Sequence, residues 1–216
     1  AKDHKRNIFR GIKLFNNIQH ISKQKINAIF QQEINILNIM YQKFTHYLTK
    51  ELFTLYSYDD IFRNHNYIVF KLYGKNLFQE REKIHYSSIY NKLSIIKDIF
   101  MALAFLSQSY PKIIHGDIKP ENILFRNEDP YNFNIVLCDF GLSHLIEKDY
   151  KYITTNTLIQ TRWYRCPEIF FSIPFNEKID VWSAGCIIYE ILTDKPLFKS
   201  KSDNDHIIYI HYILGY

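Results

Sequence analysis

The chain is poor in the features that would mark a secreted, membrane-bound or nucleic-acid-binding protein. Its three cysteines, Cys138, Cys166 and Cys186, are odd in number and lack metal-ligand spacing. That argues against a disulfide framework or a structural zinc site and for a reducing compartment. No apolar run is long enough to span a bilayer, and the first residues do not read as a signal peptide. The expectation is an intracellular protein, cytoplasmic or nuclear, with no membrane partner. Basic blocks are missing as well: 27 Lys and Arg stand against 22 Asp and Glu, and the small surplus is scattered. Such a balance is a solvated surface and leaves no nucleic-acid footprint. There is no internal repeat and no low-complexity tract, so the chain is read by periodicity.

Apolar residues make up 47% of the chain, enough to bury a substantial core in one domain or in two packed lobes. Residues 10–15 form a short strand candidate that carries Lys13. Further on, Ile26, Ile29, Phe30, Ile34, Leu37 and Met40 recur at helical spacing, and Glu33 lies on that stripe. A carboxylate on the inward face of a helix loses hydration and needs a cation, which makes Lys13 its candidate partner. For the helix taken alone, a glutamate at the stripe's edge reaching solvent is the alternative. Residues 67–72 read as a second apolar strand, and Gly74 after it is a natural break between lobes.

Residues 91–106 are again helical, with Leu93, Ile96, Phe100, Leu103 and Leu106 on one side. Two short apolar runs, 123–125 and 135–137, flank the turn-forming cluster Asn127-Glu128-Asp129-Pro130 and read as a hairpin. If its strands pair, Asn122 and Asp139 come to the same end of the ladder, where they can share a metal ion. Residues 181–192 are apolar on nearly every side yet too short for a membrane span, so a buried helix at the centre of the second lobe is expected.

The chemistry is concentrated in HGDIKPENIL, from His115 to Leu124, and CDFGL, from Cys138 to Leu142. An aspartate, a lysine two residues on, an asparagine three beyond that and a following Asp-Phe-Gly form the set that positions an acceptor hydroxyl and holds Mg²⁺ on ATP. Phosphoryl transfer needs in-line positioning and positive charge along the phosphates more than covalent help. Asp117 would orient the hydroxyl and take its proton, and Lys119 would set a point charge on the moving group. Asn122 and Asp139 would offer the oxygen ligands Mg²⁺ prefers. Lys13 would hold the nonreacting phosphates, oriented by Glu33. Asp117 by itself could be a turn or cap aspartate. Its joint occurrence with Lys119, Asn122, Asp139, Phe140 and Gly141, with WYRCPE at 163–168 and DVWSAG at 180–185, overturns that reading.

With these motifs the sequence resembles the eukaryotic protein kinases and, within them, the CMGC group. It is most similar to the dual-specificity tyrosine-regulated (DYRK) family, through FRNHNYIVF at 62–70, KNLFQ at 75–79, IIHGDIKPENILF at 113–125 and IQTRWYRCPEIF at 159–170. The resemblance implies an α+β, bilobal fold. Residues 1–73 would be a small β-rich N-lobe with one helix, running through the hinge, and 74–216 a larger, mainly helical C-lobe. A first residue other than Met and an apolar pattern still running at Ile210, Tyr212 and Leu214 lead to the expectation of a fragment truncated at both ends.

The resemblance further implies that Phe70 is the gatekeeper, that Lys71, Leu72 and Tyr73 form the hinge facing adenine, and that Leu124 is the floor beneath it. Cys138 would line the same pocket. His115, Phe140 and Leu37 would stack in a packed column, and Asp180 would brace the catalytic loop from below. ATP, Mg²⁺ and protein substrates with Ser or Thr acceptors, Tyr being a further acceptor, are the implied partners. A kinase-shaped interaction module without transfer activity is the alternative, against which stands the retention of Lys13, Asp117 and Asp139. A small-molecule kinase is disfavoured by the peptide-binding signature at 163–168.

Three departures from the family pattern stand out. No Gly-x-Gly-x-x-Gly precedes Lys13, Gly116 replaces an arginine that grips a phosphorylated activation loop, and the DYRK tyrosine pair aligns with Asn156 and Leu158. Tyr150, Tyr152, Thr154, Thr155 and Thr157 are the hydroxyls left in that loop, with Arg162 and Arg165 as nearby cations for a phosphate.

Overall fold

The structure is a computed structural model that describes residues 1–3, 7–15, 22–43, 52–54, 56–62, 65–127, 129, 131–147, 152–154 and 159–215. Strands β1 (Lys2–Asp3), β2 (Ile8–Phe15), β3 (Tyr56–Phe62) and β4 (His65–Lys71) form one antiparallel sheet in the order β1-β2-β4-β3. β4 is central, and its Ile68 and Val69 are buried. The β2–β4 register pairs Lys13 with Ile68 and Gly11 with Phe70, which lays the lysine beside the strand that ends in the expected hinge.

Helix α1 (Lys23–Lys43) packs on this sheet, with Phe15 and Phe30 meeting edge to face at 5.1 Å. It contains no Gly or Pro. Ile26, Phe30, Ile34, Leu37 and Met40 are buried, as the spacing predicts, and Ile36 joins them while Ile29 is only half-buried. Glu33 is buried on the same face.

The second part is mainly helical: α2 (Arg81–His85), α3 (Ile89–Gln108), α4 (Pro167–Phe170), α5 (Lys178–Thr193) and α6 (Asp203–Leu214). Two small antiparallel pairs accompany them, β5 (Lys112–Ile114) with β8 (His144–Ile146), and β6 (Ile123–Phe125) with β7 (Ile135–Leu137). The β6–β7 pairing sets Ile123 against Leu137, so Asn122 and Asp139 do flank the same end of the hairpin. Helix α3 is started by Ser88, whose Oγ accepts the Asn91 N–H at 3.3 Å.

Two sequence expectations need correction. The buried face of α3 is Ile95, Asp98, Ile99, Ala102, Leu103 and Leu106, while Leu93 and Phe100 are exposed and Ile96 is half-buried. The stripe was disguised by Asp98, whose buried carboxylate accepts the Ile135 N–H at 3.1 Å and ties α3 to β7. Helix α5 is not buried all round. Among the described residues it buries Ile179, Asp180, Ser183, Ala184, Cys186, Ile187 and Ile191 against α3, α2 and the turn at 162–164, and it leaves Val181, Tyr189 and Leu192 exposed.

One apolar cluster runs from Phe30, Leu37 and Met40 through Phe53, Leu137 and Phe140 into α3 and α5. A second, with Ile159, Cys166, Ile169, Phe175 and Ile179, lies under the segment after residue 158. Among the described residues no helix is long and apolar enough to cross a membrane.

Gly74 links the two parts by a close approach of backbones. Its N–H donates to Phe125 O at 2.9 Å, and a Cβ there would sit 2.6 Å from Asn127 O. Gly74→Ala is therefore expected to destabilise the fold by about 1–3 kcal/mol, because backbone atoms must move. Gly185→Ala, which meets nothing within 4 Å inside α5, is expected to be neutral or stabilising by up to about 1 kcal/mol. Denaturant unfolding of the two variants checks the contrast; equal midpoints would contradict it.

Candidate active site

Strand β2 and helix α1 bring Lys13 and Glu33 together. The Lys13 ammonium donates to Glu33 Oε1 at 2.9 Å and Oε2 at 2.7 Å, and to Asp139 Oδ1 at 2.6 Å. Asp139 is held in the left-handed region, φ 68°, where its Oδ1 also accepts the Gly141 N–H at 3.3 Å. Burial alone would lower the Lys13 pKa, but the two carboxylates outweigh it and hold it above the ordinary value. The deeper carboxylate, Glu33, with a side chain only 1% exposed, is pushed up by burial despite the lysine. For Asp139 burial works upward too, yet Lys13 and the Gly141 N–H prevail and its pKa is lowered.

Asp139's share of this stabilisation is fully present above its unfolded value near 3.8 and is lost as pH falls through the lower folded value. Lys13's share is fully present below 10.5 and is lost only as pH rises through its higher folded value. Lys13 and Asp139 thus stay charged throughout the neutral range.

The second group is built on the 115–122 loop. Asp180, from the first turn of α5, accepts the N–H of His115 at 2.6 Å and of Gly116 at 3.0 Å. The Asp117 N–H points at His115 Nδ1 at 3.2 Å, so that nitrogen is the acceptor. Nε2 then carries the proton and donates to Cys138 O at 3.0 Å. Phe140 packs on the imidazole with ring centroids 4.9 Å apart and shares a core cluster with Leu37.

Asp117 Oδ1 accepts the Thr161 N–H at 3.1 Å and its hydroxyl at 2.9 Å. Its Oδ2 meets Asn122 Nδ2 at 3.2 Å and the Lys119 ammonium at 2.7 Å. Lys119 also donates to Thr161 Oγ1 at 3.1 Å. The structure therefore joins Asp117, Lys119 and Asn122 in one network. It adds Thr161, a residue of the IQTR segment to which the motif alone assigns no role.

Between the two parts lies a cleft of about 480 Å³. Lys13, Glu33, Phe70, Lys71, Leu72, Tyr73, Leu124, Cys138 and Asp139, the residues expected to meet nucleotide, all line it, as does Asn122. Gly11, Ile12, Thr54 and Gly74 line it as well and were not foreseen. The hydroxyl of Thr54 is buried there without a protein partner among the described residues. Asp117 and Lys119 are not in this lining.

The donor set suits a hard cation. Asn122 Nδ2 is committed to Asp117, bonding its backbone oxygen at 2.9 Å as well, so Oδ1 is the atom it has for a metal. Asp139 adds a carboxylate. Among the described residues no cluster of three or more His, Cys, Asp or Glu could cage a metal unaided. Two oxygen ligands fit Mg²⁺, which keeps substrate phosphates and water in its octahedron.

Gly116 sits at φ 77°, and a Cβ there would lie 2.5 Å from Leu142 O. Arginine does not fit this position without a backbone shift. Arg162 and Arg165, the cations expected near a loop phosphate, both pair with Asp203 Oδ1, at 2.6 Å and 3.6 Å. Of the loop hydroxyls, Tyr152 and Thr154 are exposed. Tyr150, Thr155 and Thr157, with Asn156 and Leu158, lie outside the described residues.

Burial and the neighbouring Asp139 charge push the Cys138 thiol up to about 12. Although it lines the cleft, it is expected to react with iodoacetamide at pH 8 far more slowly than an ordinary cysteine, whose thiolate dominates reactivity. Mass spectrometry of alkylated protein checks this. Modification at the rate of a free thiol would contradict it.

Comparison with known proteins agrees with the motifs. The protein kinase domain family matches residues 1–213. The dual specificity protein kinase YAK1 of Saccharomyces cerevisiae is 36% identical over 205 residues, covering 92% of this chain and 22% of that protein. The probable serine/threonine-protein kinase dyrk2 of Dictyostelium discoideum is 37% identical over 158 residues, covering 71% and 16%. Human homeodomain-interacting protein kinase 4 is 35% identical over 146 residues, covering 67% and 23%. The chain thus spans about a fifth of the length of these relatives. With Asn122 of the first motif and Asp139 of the Asp-Phe-Gly motif lining one cleft, and with relatives of the DYRK type in the CMGC group, the chain belongs to the protein kinase family.

Proposed function

We propose that the full-length protein transfers the γ-phosphoryl group of ATP to serine and threonine hydroxyls of protein substrates, with Mg²⁺, inside the cell. The observation that supports this best is the Asp117 carboxylate, held by Thr161, Asn122 and Lys119 beside a cleft that contains the Lys13–Glu33–Asp139 cluster. Tyrosine is a further acceptor of the same chemistry, in keeping with the printed name of the yeast relative. On this reading residues 1–73 are the N-lobe through the hinge and 74–216 the C-lobe. Neither a nucleic acid nor a membrane is a partner.

Each residue has a task. Lys13, fixed by Glu33, holds the nonreacting phosphates, and the backbone at Lys71, Leu72 and Tyr73 meets the adenine edge between Phe70 and Leu124. Asn122 and Asp139 hold Mg²⁺, which when bound with ATP neutralises charge on the phosphates. Asp117 accepts the proton of the attacking hydroxyl and orients it. Lys119 places positive charge where the transferred group passes.

Replacing Asp139 with Asn is expected to abolish transfer; a rate within about twofold of wild type, a difference below 0.5 kcal/mol, would remove Asp139 from the metal role. Asp117→Asn is expected to lower turnover by about 10² or more while leaving nucleotide affinity nearly intact. Steady-state kinetics paired with nucleotide titration separates the two effects. An equal fall in both would make Asp117 structural.

A further inference from the structure

The turn at 162–165 and the start of α6 are fastened together by side chains that the transfer chemistry does not use. Trp163 Nε1 donates to Ser200 O at 2.9 Å, and Arg162 Nη1 to Lys201 O at 3.1 Å. Arg162 Nε meets Asp203 Oδ1 at 2.6 Å, and Arg165 Nη1 lies 3.6 Å from the same oxygen. Arg165 points its remaining donors inward: Nε to Ile159 O at 3.1 Å, and Nε and Nη2 to Gln160 O at 3.2 and 2.9 Å.

Gln160, at φ 65°, donates its own N–H to Gly116 O at 2.8 Å, and its amide nitrogen to Ile179 O and Ser183 Oγ. A continuous set of contacts therefore runs from Asp203 through Arg165 and Gln160 to Gly116, the residue before Asp117.

A loop phosphate orders such a segment by giving arginines a strong, multidentate anion. Here both arginines of the segment already share a carboxylate, and the backbone that carries it is fixed at the start of a capped helix. Asp203 is the first residue of α6, a helix capped by Ser202, whose Oγ accepts the Asp205 N–H at 3.1 Å. An acidic side chain in a first helical turn is itself favoured by the helix dipole. Gly116, with no side chain, adds no further cation.

We propose that Asp203 stands in for a loop phosphate, as a positioning residue that keeps the peptide-binding segment ordered and the enzyme active without phosphorylation of that segment. The inference rests on the kinase reading above.

The two arms of the pair differ in weight. Arg162 and Asp203 are 42% and 44% exposed, so their contact alone is weak and salt-screened. The Arg165 side chain is 10% exposed and holds two backbone carbonyls, so a change in its counter-ion reaches the segment beneath. All these contacts lie outside the cleft, so peptide binding, not nucleotide binding, should respond.

The test uses full-length protein, comparing wild type, Asp203→Asn and Asp203→Glu on a peptide substrate before and after phosphatase treatment. Phosphatase-treated wild type should keep its activity within about tenfold. Asp203→Asn should raise the peptide KM about fivefold with nucleotide KM unchanged, and Asp203→Glu should recover most of that loss. An unchanged peptide KM in Asp203→Asn overturns the proposal. So does a hundredfold loss of wild-type activity on phosphatase treatment that rephosphorylation restores, a result that needs no variant to fold. Wild type that transfers phosphate to no peptide would instead sink the kinase reading, and the inference with it.

Discussion

A single buried carboxyl group organises the proposed catalytic region. Asp180 lies inside the protein, and desolvating a carboxylate costs several kcal/mol unless its oxygens are hydrogen-bonded. The N–H groups of His115 and Gly116 compensate, and burial still pushes the group above its ordinary pKa. Because those donors belong to the loop carrying Asp117, the loop cannot move without leaving a buried carboxyl group unsatisfied. His115 passes the constraint on, through Nε2 to Cys138 O and through its own carbonyl, which accepts the Ser143 hydroxyl at 2.8 Å. The loops bearing Asp117 and Asp139 are thereby fixed relative to one another and to α5.

The cleft adds a second constraint of opposite sign. One ammonium faces two carboxylates, and their unequal burial divides them: Glu33 serves as a fixed structural counter-ion, while the side chain of Asp139 stays partly open to the cleft. Helix α1 is coupled to the segment after Asp139 by Gln32 as well, whose amide donates to Ser143 O. Position of the helix, charge in the cleft and conformation of the 139–143 segment therefore vary together.

Much of this was legible in the sequence, for local reasons. A carboxylate on an apolar helical stripe marked Glu33 as needing a cation, and two short apolar runs around a turn cluster marked the hairpin that carries Asn122 and Asp139 to one end. What escaped was non-local. The face of α3 was misread because Asp98 interrupts its stripe, and only the Ile135 N–H from a distant strand accounts for an acid there. Residues 181–192 of helix α5 are apolar on nearly every side, so composition does not say which side meets neighbours. Thr161, Gln160 and Asp203 acquire meaning only when residues 44 apart, in the case of Thr161 and Asp117, are brought into contact.

The most direct test of the account is to incubate full-length protein with γ-labelled ATP and a peptide library, with and without Mg²⁺, and to map the labelled residues. The account predicts label on serine and threonine hydroxyls only when Mg²⁺ is present. Tight nucleotide binding without any label transfer would contradict it and identify the chain as a binding module built on the kinase fold.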